Sequence, residues 1–98
     1  MSINFTKAIV NKLQRDIADI ESNIANEKNK IKKAQAKIKQ LERDMKLSQS
    51  HNDLSSKMTR INKLTEEIKI LTSSQADLTK QLASKKASLS QHQSKDPQ

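Results

Sequence analysis

From Ile3 onward, apolar residues recur at every seventh position through Val10, Ile17, Ile24, Ile31, Ile38 and Met45. Three residues after each stand Thr6, Leu13, Ile20, Glu27, Ala34, Leu41 and Ser48, so steps of three and four alternate along the first half with one charged interruption at Glu27. This is the a/d seam of a coiled-coil helix, and the Lys, Gln, Asn, Asp and Glu between supply its wetted face. The second half repeats the spacing through Leu54, Met58, Ile61, Leu64, Ile68, Leu71, Leu78, Leu82 and Leu89.

The two seams do not share a phase. Met45 and Leu54 are nine residues apart, two more than a heptad, which is about 200° around a continuous helix. One unbroken helix would carry its apolar stripe to the opposite side, whereas a hairpin removes the conflict. With a fold near residue 50, facing residues add to about 99. Met45 then meets Leu54, Leu41 meets Met58, Ile38 meets Ile61, Ile31 meets Ile68, Ile17 meets Leu82 and Val10 meets Leu89. The same register sets Ile24 against Gln75, Glu27 against Thr72 and Leu13 against the stem of Lys86. Thr65, Thr72 and Thr79 fall on or near the seam. Such polar positions lower stability, and they fix register or are simply tolerated as wet sites.

The segment "LSQSHNDLSS", residues 47–56, supplies the turn without Gly or Pro. Ser48, Ser50, Asn52 and Asp53 favour local backbone hydrogen bonds over a helix interior. Ser50 with Asp53 three positions on is a loose capping box; Asn52 or Asp53 is an alternative cap, and Asn52 suits a left-handed position. The expected fold is all-α, an antiparallel two-helix coiled-coil hairpin in one domain spanning residues 1–98. Helix 1 is expected at about 4–47, the turn at 48–53, helix 2 at 54–92 and a polar tail at 93–98. Residues 1–4 are expected to fray, with Ser2 or Asn4 as a cap.

In this register Leu64, Leu71 and Leu78 lie beside the seam, at heptad spacing on the flank of helix 2. Burial of a Leu is worth about 1.5–3 kcal/mol, so the three predict a homodimer, two hairpins forming a four-helix bundle, with a higher oligomer as a further option. A wider intramolecular seam is the alternative.

Composition narrows the chemistry. With one Phe and no Trp, Tyr or Gly in 98 residues, no thick globular core is available and little interrupts a helix. The absence of Cys excludes disulfides and thiolate chemistry. Without glycine, a glycine-rich phosphate loop or nucleophile elbow cannot form. His51 and His92 match no metal spacing, and adjacent Glu66 and Glu67 point to different sides of a helix. No catalytic residues, metal site or cofactor are therefore expected. The start of the chain lacks a signal-peptide apolar run, and no stretch reaches the length of a membrane span, so a cytoplasmic protein without a membrane partner is the simplest expectation. Net charge is +8, with a lysine run at Lys28, Lys30, Lys32, Lys33, Lys37 and Lys39 as a candidate anion-binding patch. Arginine is rare and no aromatic interleaves to stack on bases, so a solvated helix surface is the stronger reading and nucleic-acid binding the alternative.

The second helix also carries a resemblance. A Ser-rich break followed by Ser56, Lys57, Arg60 and Ile61, then Ala76, Asp77, Leu78, Lys80 and Leu82, is similar to the N-terminal coiled-coil segment that precedes the TIR domain in some bacterial TIR proteins. The likeness covers residues 48–92, and the first helix matches in character only. The TIR domain itself and its catalytic glutamate are missing from these residues. The resemblance implies an oligomerisation or regulatory module that associates chains and positions a C-terminal effector, such as an NAD-cleaving TIR domain, by raising its effective concentration. Activation and restraint of that effector both remain open, as does a small chaperone-like or secreted helical hairpin. The secreted class is marked by a Trp-x-Gly turn that this chain lacks.

Overall fold

The computed structural model describes residues 2–95, with side chains described from 5 to 93. It contains two helices, α1 (Ser2–Leu47) and α2 (His51–Lys95), paired as an antiparallel hairpin. The described residues contain no strand. The Ser2 and Asn4 side chains and residues 96–98 of the expected tail lie outside the described residues, as does the side chain of Ile3. α2 continues to Lys95, three residues past the expected end, because nothing in "HQSK" breaks a helix.

The turn is tighter than expected, at residues 48–50 only. α1 ends as the Ser48 amide donates to the Met45 carbonyl at 3.2 Å, a last tightened turn. Ser50 is the N-cap of α2: its hydroxyl accepts from the Asp53 amide at 3.2 Å, and its carbonyl accepts from the Leu54 amide at 3.0 Å. The box is not reciprocal. The Ser50 amide donates instead to the Ser48 hydroxyl at 3.3 Å, while the Asp53 carboxylate takes a hydrogen bond from Lys57. Asn52 is helical, so neither it nor Asp53 caps α2.

The paired helices divide into two units: a terminal unit of Met1–Ala25 with Gln75–Gln98, and a turn unit of Asn26–Ser74. In the turn unit the covered positions at seam spacing are Ile31, Ala34, Ile38, Leu41 and Met45 on α1, Ser48 just past its end, and Leu54, Lys57, Ile61, Leu64, Ile68 and Leu71 on α2; Glu27, Asp44, Asp53 and Ser74 are partly covered too. Taken in reverse order, the positions at seam spacing, with Ser48, match one to one with residue numbers that add to 102. In the terminal unit Val10, Leu13, Ile17, Ile20 and Ile24 match His92, Leu89, Lys85, Leu82 and Leu78 by the same rule. Burial thus aligns seam positions that add to 102 where 99 was expected, while the cross-helix bonds join pairs that add to 101 (Glu27 with Ser74, Asp16 with Lys85) and 99 (Ile24 with Gln75).

The correction turns on one pair of neighbours. Met58 is 46% exposed, whereas the Lys57 side chain is only 20% exposed, its stem lying along the seam and its ammonium on Asp53. An aliphatic stem with a nearby carboxylate fills the seam position, and the more hydrophobic neighbour is left outside. Thr65, Thr72 and Thr79 are exposed as well. Leu64, Leu71 and Leu78, expected on the flank, are half-buried seam residues. The other expected seam residues, Val10, Ile17, Ile31, Ile38, Leu41, Met45, Leu54, Ile61, Ile68, Leu82 and Leu89, are all covered.

Among the described residues burial is thorough only at Ile17 and Ile20 of the terminal unit and at Ala34, Leu41 and Ile61 of the turn unit. The one carboxylate at a seam position, Glu27, receives the Ser74 hydroxyl at 2.6 Å on one oxygen, while its other oxygen is enclosed without a partner. Thr72, expected opposite it, takes no part in this bond. In the terminal unit the Gln75 amide nitrogen donates to the Ile24 carbonyl at 3.2 Å, so this expected facing pair does meet.

Leu41→Ala, at the most buried of the described positions (4% exposed), is expected to cost about 2–5 kcal/mol in chemical denaturation. Glu27→Leu is expected to raise the thermal midpoint followed by circular dichroism, because it removes a half-satisfied carboxylate from an apolar seam; a lower midpoint would show that the Ser74 bond outweighs the desolvation. Leu64→Lys is expected to melt the turn unit, with loss of helicity, since this leucine holds the hairpin itself.

Candidate functional site: a basic cleft and a neutral groove

Beside the seam, the turn unit presents two unlike surfaces. On one, Lys30, Lys33 and Lys37 of α1 and Leu64 and Glu67 of α2 surround buried Ala34, and the adjoining depression is lined by Lys37, Arg60, Lys63 and Leu64. The positions follow from the seam. Lys30 and Lys37 each precede an a-position isoleucine, Ile31 or Ile38, and Arg60 and Glu67 stand likewise before Ile61 and Ile68. In antiparallel pairs such flanking positions of the two helices border the same side. Ala34, short and 5% exposed, leaves a dip between them.

The cleft is predominantly basic, with Glu67 the one carboxylate in its lining. Lys30, Lys33, Lys37, Arg60 and Lys63 are all exposed, and none stands within ion-pairing distance of a carboxylate among the described residues. The turn unit as a whole has twelve Lys and Arg against six Asp and Glu, a net +6 out of the chain's +8. The expected lysine patch is thereby divided. Lys30, Lys33 and Lys37 line the cleft, Lys39 lines a different groove, and Lys28 and Lys32 are exposed outside both. Arg60 and Lys63 were not part of the expected patch. They become visible in the sequence once Ile61 and Leu64 are taken as adjacent seam positions.

The second surface is charge-balanced. Gln35, Ile38, Lys39 and Glu42 line one shallow groove, and Glu42, Met45, Lys46, Met58 and Ile61 line the next. Exposed Thr65 and Thr72 extend the uncharged column that Met58 begins on α2.

In the terminal unit charges are paired instead. Asp16 accepts from Lys12 at 3.2 Å and from Lys85 at 3.3 Å, and Lys86 approaches Glu21 at 3.5 Å. The hydrogen bond from Lys12, followed by that from Lys85, holds the Asp16 carboxyl below its ordinary value against the opposing effect of partial desolvation. Lys57 and then the Ser48 hydroxyl do the same for Asp53 in the turn unit. His51 is exposed in the turn unit and His92 half-buried in the terminal unit; Glu66 and Glu67 are both exposed. No group of three His, Cys, Asp or Glu is placed to hold a metal ion among the described residues, and no described helix is long and apolar enough to cross a membrane.

Fold and surfaces together define a helical hairpin with two chemically distinct flanks. No family model, curated protein or solved structure matches the chain.

A folded-state pKa below the unfolded one stabilises the fold above the unfolded value, and that contribution is lost as pH falls through the folded value. The thermal midpoint is therefore expected to fall between about pH 5 and pH 2. Asp16→Asn combined with Asp53→Asn is expected to flatten this profile. An unchanged slope would assign the acid sensitivity to other carboxylates.

Proposed function

We propose that this chain is a non-catalytic coiled-coil association module that pairs with a second copy and so positions an attached effector. The observation that carries the reading is the charge-balanced groove of Met45, Met58 and Ile61 on the turn unit, flanked by Glu42 and Lys46 of opposite sign. Two helices alone leave this surface wet, and a second hairpin would cover it while matching acidic against basic residues. Leu64, Leu71 and Leu78 contribute only indirectly, by holding the hairpin in shape. The uncharged Thr65 and Thr72, in line with Met58 at heptad spacing, extend this neutral area on α2.

The resemblance to coiled-coil segments ahead of bacterial TIR domains supplies the effector half of the reading. Pairing of the hairpins would raise the local concentration of attached NAD-cleaving domains without any new contact between those domains. The setting in which such a module works is cytoplasmic.

Sedimentation equilibrium of the full chain is expected to give twice the chain mass of 11.1 kDa. Met58→Glu with Thr65→Lys, both at exposed positions, is expected to give monomers of unchanged helicity. A wild-type monomer up to about millimolar concentration, where pairing weaker than about −4 kcal/mol would be lost, would overturn self-association. A dimer indifferent to these substitutions would move the interface elsewhere.

A further inference from the structure

We infer that the cleft between Lys30, Lys33 and Lys37 on α1 and Arg60 and Lys63 on α2 is a docking site for an acidic amphipathic helix of a protein partner. Three features of the cleft select this occupant. The cations of α1 recur at steps of three and four, the spacing at which carboxylates line one face of a facing helix. Between the two rows of cations lies an apolar floor, buried Ala34 and half-buried Leu64, which can accept the apolar stripe of that helix. All five cations are free of carboxylate partners among the described residues, so an acidic ligand would gain charge pairs without breaking existing ones.

Other polyanions fit less well. A phosphate backbone offers nothing to the apolar floor. The turn unit has no Phe, Tyr or Trp on which bases would stack. A second copy is disfavoured by charge, because the turn unit is itself strongly basic, with a net charge of +6. The inference is independent of the pairing proposed above, which uses the neutral surface.

The experiment is fluorescence anisotropy of a labelled synthetic peptide titrated with the full chain at about 50 mM salt. The peptide has three heptads, with Leu at the a and d positions and Glu at the flanking ones; a scrambled peptide of the same composition and a short DNA duplex are run beside it. Binding of the patterned peptide at least tenfold tighter than either control is expected. Lys33→Glu with Lys63→Glu is expected to weaken that binding by roughly tenfold or more with helicity unchanged. Should that variant lose helicity, Lys30→Gln with Lys37→Gln replaces it under the same expectation. Equal binding of scrambled and patterned peptides would overturn the helix assignment, and tighter binding of the duplex would make the cleft a nucleic-acid site instead. Absence of binding, binding indifferent to the substitutions, or loss of self-association in the Lys33→Glu, Lys63→Glu variant would each overturn the proposal.

Discussion

Every layer of this hairpin is closed by one side chain from each helix, and two side chains cannot shut out water on all sides. Even Leu41, the most buried of the described residues, keeps 4% of its surface exposed, and most seam residues are only half covered. The hydrophobic stabilisation available per layer is correspondingly partial, which makes the structure sensitive to what occupies each position and tolerant of side chains that a closed core would reject. Lys57 and Lys85 on the seam follow from this: each buries a stem while its ammonium reaches a carboxylate at the edge, Asp53 or Asp16.

The same openness explains the polar side chains within the seam. Glu27 in the turn unit and Gln75 in the terminal unit each reach across to the opposite helix, one accepting from Ser74 and the other donating to the Ile24 carbonyl. A slip of the register by one heptad would leave each without that partner, so these bonds select one alignment among several that the apolar residues would allow. The cap at Ser50 acts at the other end of the problem, starting α2 immediately after a three-residue turn and thereby setting the phase in which it returns.

Because the seam takes one stripe from each helix, the residues beside it form two separate flanks. In the turn unit these flanks differ in chemistry, one carrying five unpaired cations around Ala34 and the other balancing charge around Met45 and Met58. A chain with little interior can thus still present two distinct surfaces, and the difference between them depends entirely on which residues the seam consumes.

The amino-acid sequence determined the two helices, the hairpin and the seam of α1, because a run of β-branched residues at strict heptad spacing, without Gly or internal Pro, admits one stripe and no break before Ser48. It also showed the turn chemistry, through Ser50 and Asp53. The phase of α2 was decided only by the tertiary structure. That helix is the less sharply amphipathic of the two, and both Met58 and Lys57 are physically able to fill the layer next to Leu54. Hydrophobicity read residue by residue favours Met58; the pairing of Lys57 with Asp53 and the alignment of all later leucines favour Lys57. With that choice Leu64, Leu71 and Leu78 move from a supposed flank into the seam, and Arg60 and Lys63 come to stand beside Lys30, Lys33 and Lys37. The basic cleft is formed by residues of both helices, so a one-dimensional pattern shows half of it and only their alignment shows the rest.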